Sequence, residues 1–260
     1  MVAVIGDVHG CYYTLQQLLD KIKNKYTGIE IFCVGDLVDR GAHSFETIDF
    51  VIKEKIRFTL GNHDLMFHSF FNDPESQMGR TWIYNGAETT LKSYEDNMDK
   101  IEEHLSILKK APLFIDTEDC FISHAGISKA FQDKISKDIL NKPEELNLVV
   151  STDIHGLNSI LWNRGELMNI GKLQVVGHTH RKEVFFNEDT NTIYIDTTAF
   201  GMNKLSAVIV EKNKVLEYKI VKPFTLCVVP RKKFSKFVEI PLNDRNKRLI
   251  SRFPSVHGKV

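Results

Sequence analysis

A disulfide pattern, long apolar runs and linkers are all missing from the sequence of this 260-residue chain. Its four cysteines, Cys11, Cys33, Cys120 and Cys227, are widely scattered with no C-x-x-C pair, which excludes a short-range disulfide framework. Cys33 sits inside the apolar run Ile31 to Val34, so reduced thiols in a cytoplasmic protein are expected. Apolar runs such as Leu173 to Val176, closed by Gly177, fall far short of the roughly 20 residues needed to cross a bilayer. No membrane partner is expected. The first seven residues carry no basic region ahead of Val2–Ile5 and an acid follows at Asp7, which reads as a strand that starts at once rather than a signal peptide. No Pro/Gly/Ser-rich stretch, internal repeat or low-complexity segment divides the chain, so one α/β domain is the economical description.

Net charge is missing too, since 34 Lys and Arg meet 34 Asp and Glu. With 42% apolar and 26% charged residues the composition is that of a globular protein, and disordered or fibrous architectures are excluded. The balance hides one asymmetry. From Pro230 to Val260 nine Lys/Arg face only Glu239 and Asp244, giving this tail +7 and leaving −7 elsewhere. A solvated basic tail packed by Phe234, Phe237 and Phe253 is the first reading, and contact with nucleic acid or another acidic partner is the alternative.

What is present begins with alternation. Val2–Ile5, Ile31–Val34 and Ile56–Leu60 read as buried strands. Between them, Leu15, Leu18, Leu19 and Ile22 recur at helical spacing, and Ser44 reads as a helix cap before Phe45, Ile48, Val51 and Ile52. Residues 79 to 110 read mostly as helix, an insertion over the edge of the core with Ile101, Leu105 and Leu108 on its apolar face. Thereafter Leu113–Ile115, Cys120–Ser123, Leu173–Val176, Thr192–Ile195, Ala207–Val210 and Val215–Val221 imply a second, largely antiparallel sheet.

Five strand-like runs end in polar motifs: Gly6-Asp7-Val8-His9-Gly10, Gly35-Asp36-Leu37-Val38-Asp39-Arg40-Gly41, Gly61-Asn62-His63-Asp64, Ser123-His124-Ala125-Gly126 and Gly177-His178-Thr179-His180. Sites in α/β sheets form at the carboxyl ends of strands, so these motifs point to one site. Carboxylate, imidazole and amide oxygen together suit a divalent cation such as Mn²⁺, Fe²⁺ or Zn²⁺. Any one of the motifs alone is an ordinary loop. Five in this order are not.

The set resembles the calcineurin-like metallophosphoesterase superfamily, and within it the phosphoprotein phosphatases of bacteria and phages, over Gly6 to about Gly201. The resemblance implies an α/β fold of two mixed β-sheets packed as a sandwich flanked by helices, with residues 1–229 as catalytic domain and 230–260 as a basic extension. It implies two divalent cations, Mn²⁺ first with Fe or Zn as alternatives. Asp7, His9 and Asp36 would hold one and Asp36, Asn62, His124 and His178 the other, with Asp36 bridging. His180 departs from the phosphoprotein phosphatase pattern but matches relatives that use a second His on the first metal. His63 would protonate the leaving oxygen, Asp39 would orient it, and Arg40, Arg164 and Asn62 would bind phosphate, water activated by both cations attacking without a phosphoenzyme. For Arg164 the residues leave open packing on Trp162 or pairing with Glu166. Asp64 reads as a turn-stabilising acid, and Trp82, the tyrosines and the histidines outside the motifs read as packing or surface residues.

The expected function is hydrolysis of a phosphate monoester, with a phosphoserine or phosphothreonine protein as substrate, because Asp39 completes G-D-x-x-D-R-G. The alternative is a dinucleoside polyphosphate such as diadenosine tetraphosphate, favoured by Asp64 where protein phosphatases usually have Glu. A non-catalytic binding protein has no need of the full set.

Overall fold

The computed structural model describes residues 1–223, so the basic run after Pro230 lies outside the described residues. Strand β1 (Val2–Ile5) is apolar at all four positions because both of its faces are covered. It runs parallel to β2 (Glu30–Cys33), which runs parallel to the short β3 (Arg57–Phe58). On its other side β1 pairs antiparallel with β9 (Leu205–Glu211), and β9 with β10 (Lys214–Val221), giving the order β10-β9-β1-β2-β3.

The crossovers from β1 to β2 and from β2 to β3 carry α1 (Tyr12–Lys25) and α2 (Ser44–Lys53). Leu15, Leu18, Leu19 and Ile22 of α1 are buried against Ala3, Ile5, Ala207 and Ile209, each contributing about 1.5–3 kcal/mol by leaving water. Ser44 is the first residue of α2 and does not cap it; its hydroxyl accepts the Asp39 N–H at 3.1 Å instead.

The second sheet has the order β4-β5-β6-β8-β7, built from β4 (Phe114–Asp116), β5 (Phe121–Ser123), β6 (Gln174–Val176), β7 (Phe185–Asn187) and β8 (Thr192–Tyr194). It is mixed, not largely antiparallel: β5, β6 and β8 run parallel, and antiparallel pairing is confined to its β4 and β7 edges. The last two strands, expected to extend it, return to β1. The sandwich itself is as expected. Val2, Val4, Phe32, Val208 and Val210 of the first sheet form one buried cluster with Ile122, Val175 and Ile193 of the second.

Residues 79–110 do not simply cover an edge. They lie in α4 (Gln77–Ile83), α5 (Ala87–Ser93) and α6 (Ile101–Lys109), and Trp82, Tyr94 and Leu108 are fully buried in the main core with Met66 and Phe67 of α3 (Asn62–Asn72). Two further helices, α7 (Lys137–Leu140) and α8 (Pro143–Ser151), flank the second sheet, α8 through Leu146 and Val150. Cys11, Cys33 and Cys120 are buried and none is in a disulfide. Among the described residues no helix is long and apolar enough to cross a membrane.

Candidate metal centre

Parallel strands bring their carboxyl ends to one side of a sheet, and here both sheets contribute. Asp7 follows β1, Asp36 follows β2, His124 follows β5, His178 follows β6 and Asp196 follows β8, while Asn62, His63 and Asp64 open α3. The turns are tight: His9, Asp36, Asp39, Arg40 and His178 all have φ between 47° and 72°, a region costly for residues with a side chain. Two glycines make the approach possible. A Cβ on Gly177 would lie 1.9 Å from Asp7 Oδ1, and one on Gly61 2.2 Å from Asp36 Oδ1.

Hydrogen bonds set the imidazoles. His9 Nδ1 donates to the Val38 carbonyl at 2.8 Å and His124 Nδ1 to that of Val34 at 2.9 Å, so each ring, with its proton on Nδ1, turns the lone pair of Nε2 inward. For His9 that lone pair lies 3.4 Å from Asp36 Oδ2. For His124 it lies 2.8 Å from Asn62 Oδ1 and 3.5 Å from Asp36 Oδ2. Asn62 Oδ1 also lies 2.9 Å from His178 Nδ1. With its proton on the Val34 carbonyl, His124 thus sets an acceptor against the Asn62 oxygen, an arrangement that suits a cation between them.

Two donor groups, each spanning no more than 4.8 Å, emerge: His9, Asp36 and His63, and Asp7, Asp36 and His124. Asp36 belongs to both, as a carboxylate shared by two cations must. Burial pushes the Asp7 carboxyl well above its ordinary range, and the neighbouring Asp196 and Asp36 add to this. Burial also holds His9 well below the ordinary imidazole value, with Arg40 and His63 contributing. The donor set therefore fits a pair of divalent cations.

His63 does not spend Nδ1 there, because that atom donates to Asp39 Oδ2 at 2.6 Å. Burial pushes Asp39 up to about 7 and His63 down to about 3. His63 N–H donates to Asp36 Oδ1 at 2.9 Å. Asp64 stabilises the turn as expected, accepting from Gly61 N at 3.1 Å and Leu37 N at 2.9 Å and thereby tying two motif loops together.

The remaining expected residues lie at the rim. His180 is outside both donor groups; its Nδ1 is hydrogen-bonded by the buried Asp196 and its side chain is 39% exposed. Arg40 donates to His9 Nε2 at 3.0 Å and stacks 4.5 Å over the Phe200 ring. Arg164 does not pair with Glu166, which binds Lys129; it donates to the His178 carbonyl at 3.0 Å, alongside the centre.

Four residues at the site escaped the sequence reading as functional groups: Asp196, Trp82, Thr90 and Phe200. Asp196 alone carried a signal, since Ile195-Asp196-Thr197 follows a strand as the five motifs do. Trp82 and Thr90 reach Asp39 across 43 and 51 residues of sequence.

A family model for calcineurin-like phosphoesterases matches residues 1–182. The symmetrical bis(5'-nucleosyl)-tetraphosphatase of Erwinia tasmaniensis is 33% identical over 129 residues, 48% of this chain and only 44% of that protein. The asymmetrical bis(5'-nucleosyl)-tetraphosphatase of Bacillus cereus (strain AH187) is 29% identical over 252 residues, 88% of this chain and 96% of that one. A solved structure provisionally described as a diadenosine tetraphosphatase superposes with a TM-score of 0.55 at 20% identity, covering 86% of this chain and 94% of the other, a likeness of fold. The chain belongs to the calcineurin-like phosphoesterase family.

Proposed function

From that membership, we propose that this chain is a dimetal hydrolase of dinucleoside polyphosphates, with diadenosine tetraphosphate as the representative substrate. Asp7, His9 and Asp36 hold one divalent cation and Asp36, Asn62, His124 and His178 the other, with His180 Nε2 as a further donor to the first. Oxygen and imidazole donors without thiolate suit Mn²⁺, with Fe or Zn as alternatives. When bound, the pair supplies Lewis-acid charge that neutralises phosphoryl oxygens and acidifies water. Arg40, whose planar guanidinium can grip two phosphoryl oxygens, binds the substrate together with Arg164 and Asn62. His63 delivers a proton from Nε2 to the leaving oxygen as the imidazolium, the form that the anionic substrate and Asp39, which holds Nδ1, favour against burial. Its setting is the cytoplasm, in keeping with the buried thiols.

One observation carries the choice of substrate: the similarity to the Bacillus cereus enzyme runs through 88% of the chain, not through the motifs alone. A second reading, a phosphoserine or phosphothreonine protein phosphatase, is favoured by the 2.6 Å His63–Asp39 contact. An alkoxide leaving group needs a proton more than a polyphosphate does. Product analysis tests the proposal. Metal-loaded protein should convert diadenosine tetraphosphate wholly to mononucleotides without releasing inorganic phosphate, and intact dinucleotide after prolonged incubation contradicts it.

A further inference from the structure

The Asp39 carboxylate accepts more than the His63 ring. Trp82 Nε1–H, from α4, lies 2.9 Å from Oδ1 and 3.0 Å from Oδ2. Thr90 Oγ1, from α5, donates to Oδ1 at 2.7 Å and accepts the Asp39 N–H at 2.9 Å. Asp39, Trp82 and Thr90 are all fully buried. Between the two helices Gly86 passes so close that a Cβ there would lie 3.1 Å from Asp39 Cβ and 2.9 Å from Arg40 N.

The indole and hydroxyl thus spend their only donors on one carboxylate, and rotating that carboxylate would break both bonds. The Asp39 oxygen left for His63 has a fixed direction, and the ring that bonds to it through Nδ1 inherits that direction at Nε2. A buried tryptophan can satisfy its N–H on any carbonyl nearby. Here α4 and α5 both aim at the residue behind the proton donor.

We infer that Trp82 and Thr90 are positioning residues of the hydrolytic reaction, fixing the Asp39 carboxylate and through it the aim of His63 at the leaving oxygen. The inference rests on the hydrolase reading above. A small misalignment of a proton donor is enough to cost a large part of its contribution.

The test compares the full chain, loaded with Mn²⁺, on p-nitrophenyl phosphate, whose leaving group needs little protonation, and phenyl phosphate, whose leaving group needs more. Thr90→Val, close in volume, and Trp82→Phe should lower kcat for phenyl phosphate about tenfold more than for p-nitrophenyl phosphate, with metal content unchanged. Thr90→Ser, which keeps the hydroxyl, should restore the wild-type ratio. Equal losses on both substrates, or no loss on either, overturn the inference while leaving the hydrolase reading intact. Metal-loaded wild-type protein that hydrolyses neither ester nor diadenosine tetraphosphate overturns that reading, and the inference with it.

Discussion

His124 Nε2 faces Asn62 Oδ1 at 2.8 Å, two acceptors brought together from opposite halves of the sandwich. With the ring proton of His124 on the Val34 carbonyl, both atoms of this contact are acceptors, and a cation between them makes it favourable on both sides. The protein should therefore bind two equivalents of divalent metal, and Asp36→Asn, which weakens the shared ligand, should abolish both metal retention and hydrolysis. Elemental analysis of folded wild-type protein checks this, and one equivalent or none in active protein refutes it.

Because the cations bind the folded state and not the unfolded chain, chelation should destabilise the protein. At a free metal concentration a hundredfold above Kd, linkage gives about 2.7 kcal/mol for each cation and about 5.4 kcal/mol for the pair. For a chain of this size that corresponds to roughly 11–22 °C in Tm. Calorimetry with Mn²⁺ and with EDTA measures it directly.

His63→Asn should leave the metal content intact and reduce kcat by about 10²–10⁴, since the role proposed for His63 is to move a proton and not to hold a cation. Loss of metal in this variant would make His63 a ligand, a role its ring is close enough to Asp36 and His9 to fill.

Phe200 stacks beneath Arg40 at 4.5 Å and meets the His9 ring edge-on at 5.0 Å. A cation–π contact of this kind is worth about 0.5–2 kcal/mol, so Phe200→Leu should raise KM by roughly 2- to 30-fold with a smaller change in kcat. Steady-state kinetics with diadenosine tetraphosphate decides it.

Tyr94 O–H donates to His104 Nδ1 at 2.7 Å in the buried contact between α5 and α6. Burial holds His104 below its ordinary value of 6.5. The fold thus favours the neutral ring, and its contribution is complete above pH 6.5 and declines as the pH falls below it and the unfolded chain takes up the proton. His104→Gln keeps an acceptor without titrating. Between pH 7.5 and 5.5 the wild-type Tm should fall more than that of the variant.

Much of the candidate site was legible because the proposed ligands are local: Asp7, Asp36, Asn62, His124 and His178 each stand within a few residues of a strand end or helix start that the apolar pattern marks. What was misread depends on distant partners. Ser44 looks like a cap until the Asp39 N–H claims its hydroxyl. Strands β9 and β10 look like more of the second sheet, and only pairing with β1, about 200 residues away, sends them back to the first. Trp82 has the composition of a core residue and is one, and its hydrogen bond to Asp39 is written nowhere in its own neighbourhood.

Which phosphate compound this centre hydrolyses best is measured most directly by kcat/KM for diadenosine tetraphosphate beside phosphoserine and phosphotyrosine peptides at one fixed Mn²⁺ concentration. The dinucleotide should be cleaved more efficiently than either peptide, and Arg40→Ala should lower its kcat/KM. A phosphoserine peptide cleaved tenfold more efficiently than the dinucleotide would contradict the proposed function.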